Sequence, residues 1–138
     1  MKRFVLFIGM AILCFGFNSC DVDDGVNFHF EALPIVNAEV PASFQMYGRY
    51  QIAVTYNRPD DCTFFEGFDV VKKDVTERNV VVIGSIVTDR ECADLADEVL
   101  RATFNFEVLY DQTYLFRFWQ GEDEDGEPKY LEIEVPVE

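Results

Sequence analysis

Strict alternation of apolar and polar side chains in the second half of the chain most constrains its fold. Every second residue from Leu100 to Val108 is apolar, and the residues between them are polar. The same period of two recurs in 113–120 and in 130–137. Such alternation is typical of a β-strand with one buried face. No stretch of ten or more residues has the period of an amphipathic helix, so parallel βαβ architectures lack their crossover helices.

Turn-forming clusters divide the rest of the chain into further short strands. The other predicted strands lie at 27–33, 35–40, 50–56, 62–73 and 80–87. Gly67 is expected to mark a β-bulge or a close approach of two backbones, and a short helical turn is expected at 93–96. Seven or eight strands at this spacing predict one all-β domain, an antiparallel immunoglobulin-like β-sandwich. A jelly roll and an open β-barrel are the alternatives.

One short segment supports the sandwich by resemblance. Residues 111–116 resemble the turn-Tyr-x-Phe start of a late strand in immunoglobulin-like and fibronectin-III-like domains. The resemblance implies that Tyr114 forms a tyrosine corner. The Cys–Trp–Cys order of antibody domains is absent, because Trp119 follows both Cys62 and Cys92.

The N-terminus has the composition of a secretory signal. Lys2 and Arg3 precede an uncharged run from 4 to 17, which is too short to cross a hydrocarbon core of about 30 Å comfortably. Residues 17–20, Phe-Asn-Ser-Cys, resemble the lipobox of bacterial lipoproteins, although Phe17 replaces the usual Leu. The resemblance implies that Cys20 becomes the first mature residue and carries acyl chains. A transmembrane anchor, or a signal peptide that is cut elsewhere, is the alternative.

An acidic cluster follows Cys20. Asp21, Asp23 and Asp24 resemble the export signal of lipoproteins in the Bacteroidetes group, which implies the outer membrane, on its periplasmic side or at the cell surface. In enteric bacteria an Asp beside the cysteine instead retains the lipoprotein at the inner membrane. The expected organisation is a signal peptide at 1–19, an acidic tether at 20–26 and a β-sandwich at 27–138.

The cysteine count agrees with this organisation. Cys14 is lost with the signal peptide, and acylation of Cys20 leaves Cys62 and Cys92 to pair. Export places them where disulfides persist, and closing a loop of about 30 residues stabilises a fold by about 3–4 kcal/mol. A redox pair would need Cys-x-x-Cys spacing, and a metal site would need further ligands.

Candidate catalytic and metal-binding residues are few. His29 is the only histidine and occupies a polar position of a predicted strand, so no nucleophile–base pair is expected. The acidic segment 122–127 superficially resembles a calcium loop, but Asp125-Gly126 favours a charged hairpin turn. We therefore predict no enzymatic activity, no cofactor and no metal, with a carbohydrate-active enzyme as the least favoured alternative.

Charge and aromatic content limit the partners. A formal net charge of −15 opposes nucleic-acid binding and contact with anionic headgroups, so membrane contact is expected through acyl chains on Cys20. A binding face for an envelope protein or glycan is predicted where side chains oppose the core positions. Its members are Phe65, Leu115, Arg117 and Trp119. The alternatives are that a second layer buries this face, or that the protein is an accessory subunit of an outer-membrane complex in which 80–87 presents an exposed edge or face.

Overall fold

The computed structural model describes Gly25 and residues 27–138. The predicted signal peptide, Cys20 and most of the acidic tether lie outside the described residues. Eight strands follow one another: β1 (Phe28–Leu33), β2 (Ile35–Glu39), β3 (Arg49–Asp60), β4 (Thr63–Lys72), β5 (Glu77–Val87), β6 (Asp94–Glu107), β7 (Tyr114–Glu122) and β8 (Pro128–Val135). The described part contains no helix that is long and apolar enough to cross a membrane.

The strands form two sheets that pack face to face. One sheet has five strands, in which β4, β5, β7 and β8 are neighbours in that order and β1 also pairs with β5. The other sheet has the order β2-β3-β6. Apolar side chains from both sheets meet between them in one core. The prediction of an all-β sandwich is confirmed, and the barrel alternative is not adopted.

One strand pair is parallel, whereas a fully antiparallel arrangement was expected. Glu77 to Val80 of β5 pair in parallel with Leu115 to Phe118 of β7. The pairing is parallel because β6 crosses to the other sheet between β5 and β7 and so reverses the chain direction twice. In immunoglobulin domains the C strand lies beside the F strand. In this protein β7, which carries the tyrosine corner as the F strand does, lies beside β5. The strand that directly follows β3 in the chain, β4, lies on the other side of β5.

Pro34 marks the point at which the chain changes sheets. Leu33 ends β1 in the five-stranded sheet, and Ile35 begins β2 in the three-stranded sheet. Both side chains are buried, and the Pro34 carbonyl accepts a hydrogen bond from the Asn57 N–H at 3.1 Å. Because proline has no N–H, a break between sheets is a suitable place for it.

Tyr114 forms the predicted corner. Its side chain is fully buried, and its hydroxyl accepts hydrogen bonds from the N–H groups of Leu109 at 3.1 Å and Tyr110 at 3.2 Å. These donors lie four and five residues upstream, as in the tyrosine corner of immunoglobulin-like sandwiches. Phe116 and Phe118 continue the inward face of β7 and are also fully buried.

Two element boundaries differ from the predictions. β3 continues to Asp60 through the expected turn cluster, and β6 begins at Asp94, where a helical turn was expected. The cause is pairing between strands: Asp60 lies opposite Asp94, and the Asp61 N–H donates to the Ala93 carbonyl at 3.0 Å. A backbone partner on the neighbouring strand therefore outweighs the local turn preference.

Candidate functional site

The outer face of the five-stranded sheet carries the most distinctive exposed surface. In antiparallel pairs, residues directly opposite each other project to the same face. Val80 and Val82 of β5 are buried in the core, so the alternate residues Ile83, Ser85 and Val87 face outward. Side chains of β1 and β4 that pair with these three residues share the outer face.

The register brings three phenylalanines to this face. Phe28 lies opposite Val87, while Phe30 and Phe64 both lie opposite Ser85, one on each side of β5. Their side chains are exposed by 54%, 63% and 44%, respectively. The Phe28 and Phe30 rings contact each other edge to face, with 5.4 Å between centroids. We call Phe28, Phe30 and Phe64 the outer patch.

Polar groups around the outer patch have partners within the domain. The Ser85 hydroxyl donates to Glu66 Oε1 at 2.7 Å. The Arg58 guanidinium lies 5.6 Å from the centre of the Phe64 ring and pairs with Glu98 at 3.3 Å. The groups of the outer patch that remain available for contact are therefore its aromatic rings.

The predicted binding face is only partly assembled. Leu115, Arg117 and Trp119 alternate with the buried residues of β7, and all three are half-buried on the outer face. Phe65 does not join them, and its assignment to that face is wrong. A bulge between Phe65 and Gly67 shifts the alternation of β4, so Phe65 lies on the inner side of the sheet, at an edge where it is still 42% exposed.

The contacts of Phe65 support this correction. Its ring lies 5.7 Å from the buried Tyr56 ring and 5.5 Å from the Phe68 ring. Phe64 takes the outward position instead. The bulge itself was predicted from Gly67, but its effect on the neighbouring side chains was not.

Arg117 is held by its neighbours on the outer face. Its Nε donates to Glu132 at 2.9 Å, and its Nη1 lies 3.7 Å from Glu77. The guanidinium also lies 4.3 Å from the centre of the Tyr130 ring. Partners on three sides occupy this cation, so Arg117 contributes chiefly to the packing of β5, β7 and β8.

The outer patch was not predicted from the sequence. In the sequence, Phe28, Phe30 and Ala32 alternate with polar residues, which favours them as the inward side of the strand, but Leu33 is the β1 residue that enters the core. Alternation shows that two faces differ and does not show which face is inside. Gly84 is the residue that indicates which face of β1 is inside. A Cβ there would lie 2.7 Å from Leu33 Cδ1 and would obstruct the position that Leu33 takes in the core.

Cys62 and Cys92 form a disulfide bond, with sulfurs 2.01 Å apart. The bond joins the corner between β3 and β4 to the connection between β5 and β6. Asp60 Oδ1 accepts hydrogen bonds from the Cys62 N–H at 3.0 Å and from the Thr63 hydroxyl at 2.8 Å. The sulfurs are bonded to each other, and Asp60 accepts hydrogen bonds from its neighbours in the chain. These groups therefore stabilise the corner between β3 and β4.

The other polar candidates engage local groups. His29 is exposed and lies 3.4 Å from Glu31. In the acidic 122–127 hairpin, Asp123 Oδ1 accepts hydrogen bonds from the N–H groups of Asp125 at 2.9 Å and Glu127 at 3.0 Å. Gly126 has a φ of 79°, which suits the hairpin turn. The Asp123 carboxylate therefore stabilises its own turn.

Among the residues that the structure describes, Tyr56 has a shifted pKa. Burial raises the pKa of the Tyr56 hydroxyl above its usual value of 10.0; the nearby Arg58 lowers it, and Glu98 raises it. Tyr56 lies on the inner face of β3, opposite Ile35 and Leu100. The cause of the shift is core packing at the end of the sandwich.

Comparison of the chain with protein-family models, with curated proteins and with solved structures finds no match. What the outer face offers is apolar contact through the rings of Phe28, Phe30 and Phe64, on a sheet that the core and the disulfide hold in place.

Proposed function

We propose that this protein is a lipid-anchored binding module of a bacterial cell envelope. In this proposal acyl chains on Cys20 hold it at a membrane, and the outer patch is the surface through which it acts. It performs no catalysis. The observation that carries the proposal is the clustering of three exposed phenylalanines on one sheet face.

Exposed aromatic rings keep apolar surface in contact with water, which is unfavourable as long as nothing covers them. Complete burial of a phenylalanine side chain is worth about 1.5–3 kcal/mol, so rings left half in water represent unused contact energy. Contiguous apolar patches on soluble domains mark interaction sites. The rest of the chain is strongly acidic, with a net charge of −15, which sets the outer patch apart from its surroundings.

A second candidate is an accessory subunit of an outer-membrane complex. The predicted edge at 80–87 is not available, because β5 pairs with β1, β4 and β7. The observation that favours this candidate is β6, which pairs only with β3 within the described part and leaves its other edge without a strand. A partner strand could add to such an edge. For a carbohydrate-active enzyme, the described residues offer no supporting observation.

The anchor is tested by palmitate labelling. We expect label on the wild-type chain and none on the Cys20→Ala variant. Equal labelling of the two chains would contradict the anchor.

The contact surface is tested by photo-crosslinking in producing cells. A benzophenone amino acid is placed at Phe30, and the matched control carries it at Gln51, an exposed position on the outer face of the three-stranded sheet. Adducts are expected from position 30 and not from position 51. Absence of adducts from position 30, in a chain that is made and folded, would contradict the proposal. A third probe at Asn105 of β6 reports on the accessory-subunit alternative.

A further inference from the structure

We propose that the outer patch docks on the zwitterionic surface of the membrane in which Cys20 is anchored. This inference rests on the proposed function and identifies the partner of the same surface. The domain would then lie on the bilayer with the five-stranded sheet facing the lipid. The three-stranded sheet would face away from the membrane.

The length of the tether limits where the domain can be. Seven residues, 21–27, separate Cys20 from Phe28. At no more than 3.3–3.6 Å per residue, they span about 25 Å at full extension. A sandwich of this size has a radius of gyration of about 13 Å, so the tether reaches no further than about one domain diameter. The tethered domain thus meets the bilayer surface at an effective concentration on the order of millimolar.

The tether enters the domain at the outer patch. Phe28 is the first residue of β1 and also the first ring of the outer patch, and Phe30 follows two residues later. No other sheet face lies as close along the chain to the anchor. The end of the sandwich that the anchor holds nearest the lipid is therefore the end that exposes its phenylalanines.

The position of the three rings on one sheet face suits contact with a flat surface such as a bilayer. The three rings lie on β1 and β4, on the two sides of β5, opposite Val87 and Ser85. Between the rings, the Ser85 hydroxyl is already satisfied by Glu66, so it needs no partner from a ligand. Apolar rings that project from a surface enter the boundary between headgroups and acyl chains.

Charge selects the type of lipid. Asp21, Asp23 and Asp24 lie beside the anchor, and Glu66 lies beside the outer patch. Arg58, whose guanidinium lies 5.6 Å from the centre of the Phe64 ring, is paired with Glu98 at 3.3 Å. Anionic headgroups are repelled by this arrangement, whereas zwitterionic headgroups are not. We therefore assign the outer patch to a zwitterionic surface.

Quenching by brominated acyl chains tests the orientation in the full acylated protein. Trp119 is the only tryptophan and is replaced in a Trp119→Phe background. A Phe30→Trp substitution then reports on the outer patch, and a Gln51→Trp substitution in the same background is the matched control. Each chain is reconstituted into vesicles of zwitterionic phosphatidylcholine with brominated tails.

We expect severalfold stronger quenching of the indole at position 30 than of the indole at position 51. Equal quenching at the two positions in a folded, acylated protein would overturn the inference. Adding phosphatidylglycerol to the vesicles is expected to weaken quenching at position 30. Undiminished quenching in those vesicles would overturn the assignment to zwitterionic lipid.

The failure of this inference is distinguishable from the failure of the proposed function. Mass measurement of the purified chain shows whether Cys20 is acylated, and a chain without acyl groups overturns both proposals. An acylated chain without quenching at position 30, combined with adducts from position 30 in cells, overturns only the lipid assignment. In that case the mass of the adduct shows whether a protein or a second copy occupies the outer patch.

Discussion

Phe30 and Phe64 lie on opposite sides of Ser85, in register with it and on the same outer face of the sheet. Ser85 belongs to the central strand and is only 7% exposed, although it faces outward. The two flanking rings and Glu66, which accepts from its hydroxyl, account for this burial. The outer patch therefore flanks the central strand β5 on both sides.

Removal of these rings should leave the fold intact. The Phe30→Ser/Phe64→Ser variant is expected to lower the free energy of unfolding by about 2 kcal/mol, because Phe30 is 63% exposed and Phe64 44%, so the two side chains together bury about as much surface as one core phenylalanine. Urea denaturation of variant and wild type checks this. A loss of several kcal/mol would mean that the rings serve the fold, and it would remove the reason to treat them as a contact surface.

Phe44 is expected to behave in the opposite way. It lies in the connection from β2 to β3 and is fully buried. The Phe106, Tyr114 and Phe116 rings lie within 6.0 Å of its ring. Phe44→Ala should cost about 3–5 kcal/mol in urea denaturation. Met46→Ala, at a nearby exposed position, is the control and should cost about 0.5 kcal/mol or less. Similar losses for the two variants would contradict this account of the core.

The disulfide should supply a large share of the stability. It closes a sequence separation of 30 residues. The Cys62→Ala/Cys92→Ala variant is expected to lose about 3–4 kcal/mol, because its unfolded chain is less constrained. Reductant should lower the stability of the wild type by a similar amount and leave the variant unchanged. Equal stability of the oxidised wild type and the variant would contradict a structural role.

Tyr56 should make the fold sensitive to alkaline pH. Burial raises its folded-state pKa above 10.0, so the unfolded chain loses the phenolic proton first as the pH rises. The stabilisation is complete below pH 10.0 and is lost as the pH rises through the folded-state pKa. Tyr56→Phe should therefore show a shallower fall in unfolding free energy above that pH. Parallel profiles for the two chains would contradict the assignment.

The sequence predicts the sandwich because local patterning and burial agree in most strands. The alternation of Phe104 and Phe106 with polar residues matches their inward positions in β6, and Tyr114 forms the corner that its neighbours predict. The pairing of Cys62 with Cys92 was expected from the cysteine count once Cys20 is taken as acylated, as the lipobox resemblance implies, and the structure contains that bond. These features depend on short segments of sequence or on the number of cysteines, so they can be predicted from the sequence alone.

The candidate site depends on relations that a local pattern does not contain. One inserted residue, Glu66, exchanges the faces of Phe64 and Phe65. The face of Phe30 depends on the pairing of β1 with a distant strand, where Gly84 admits Leu33 to the core. Ala42, Phe44 and Met46 alternate with polar residues, but of these three only Phe44 is buried, so the alternation does not reveal which side chain enters the core.

The central claim is that the outer patch is covered in the cell envelope, and hydroxyl-radical footprinting of intact cells tests it most directly. Oxidation of Phe28, Phe30 and Phe64 is compared between the wild-type protein in cells and the purified Cys20→Ala chain in buffer. Tyr47, which is 69% exposed outside the outer patch, is the internal reference. We predict severalfold slower oxidation of the three phenylalanines in cells, relative to Tyr47. Equal relative rates in cells and in buffer would contradict the account.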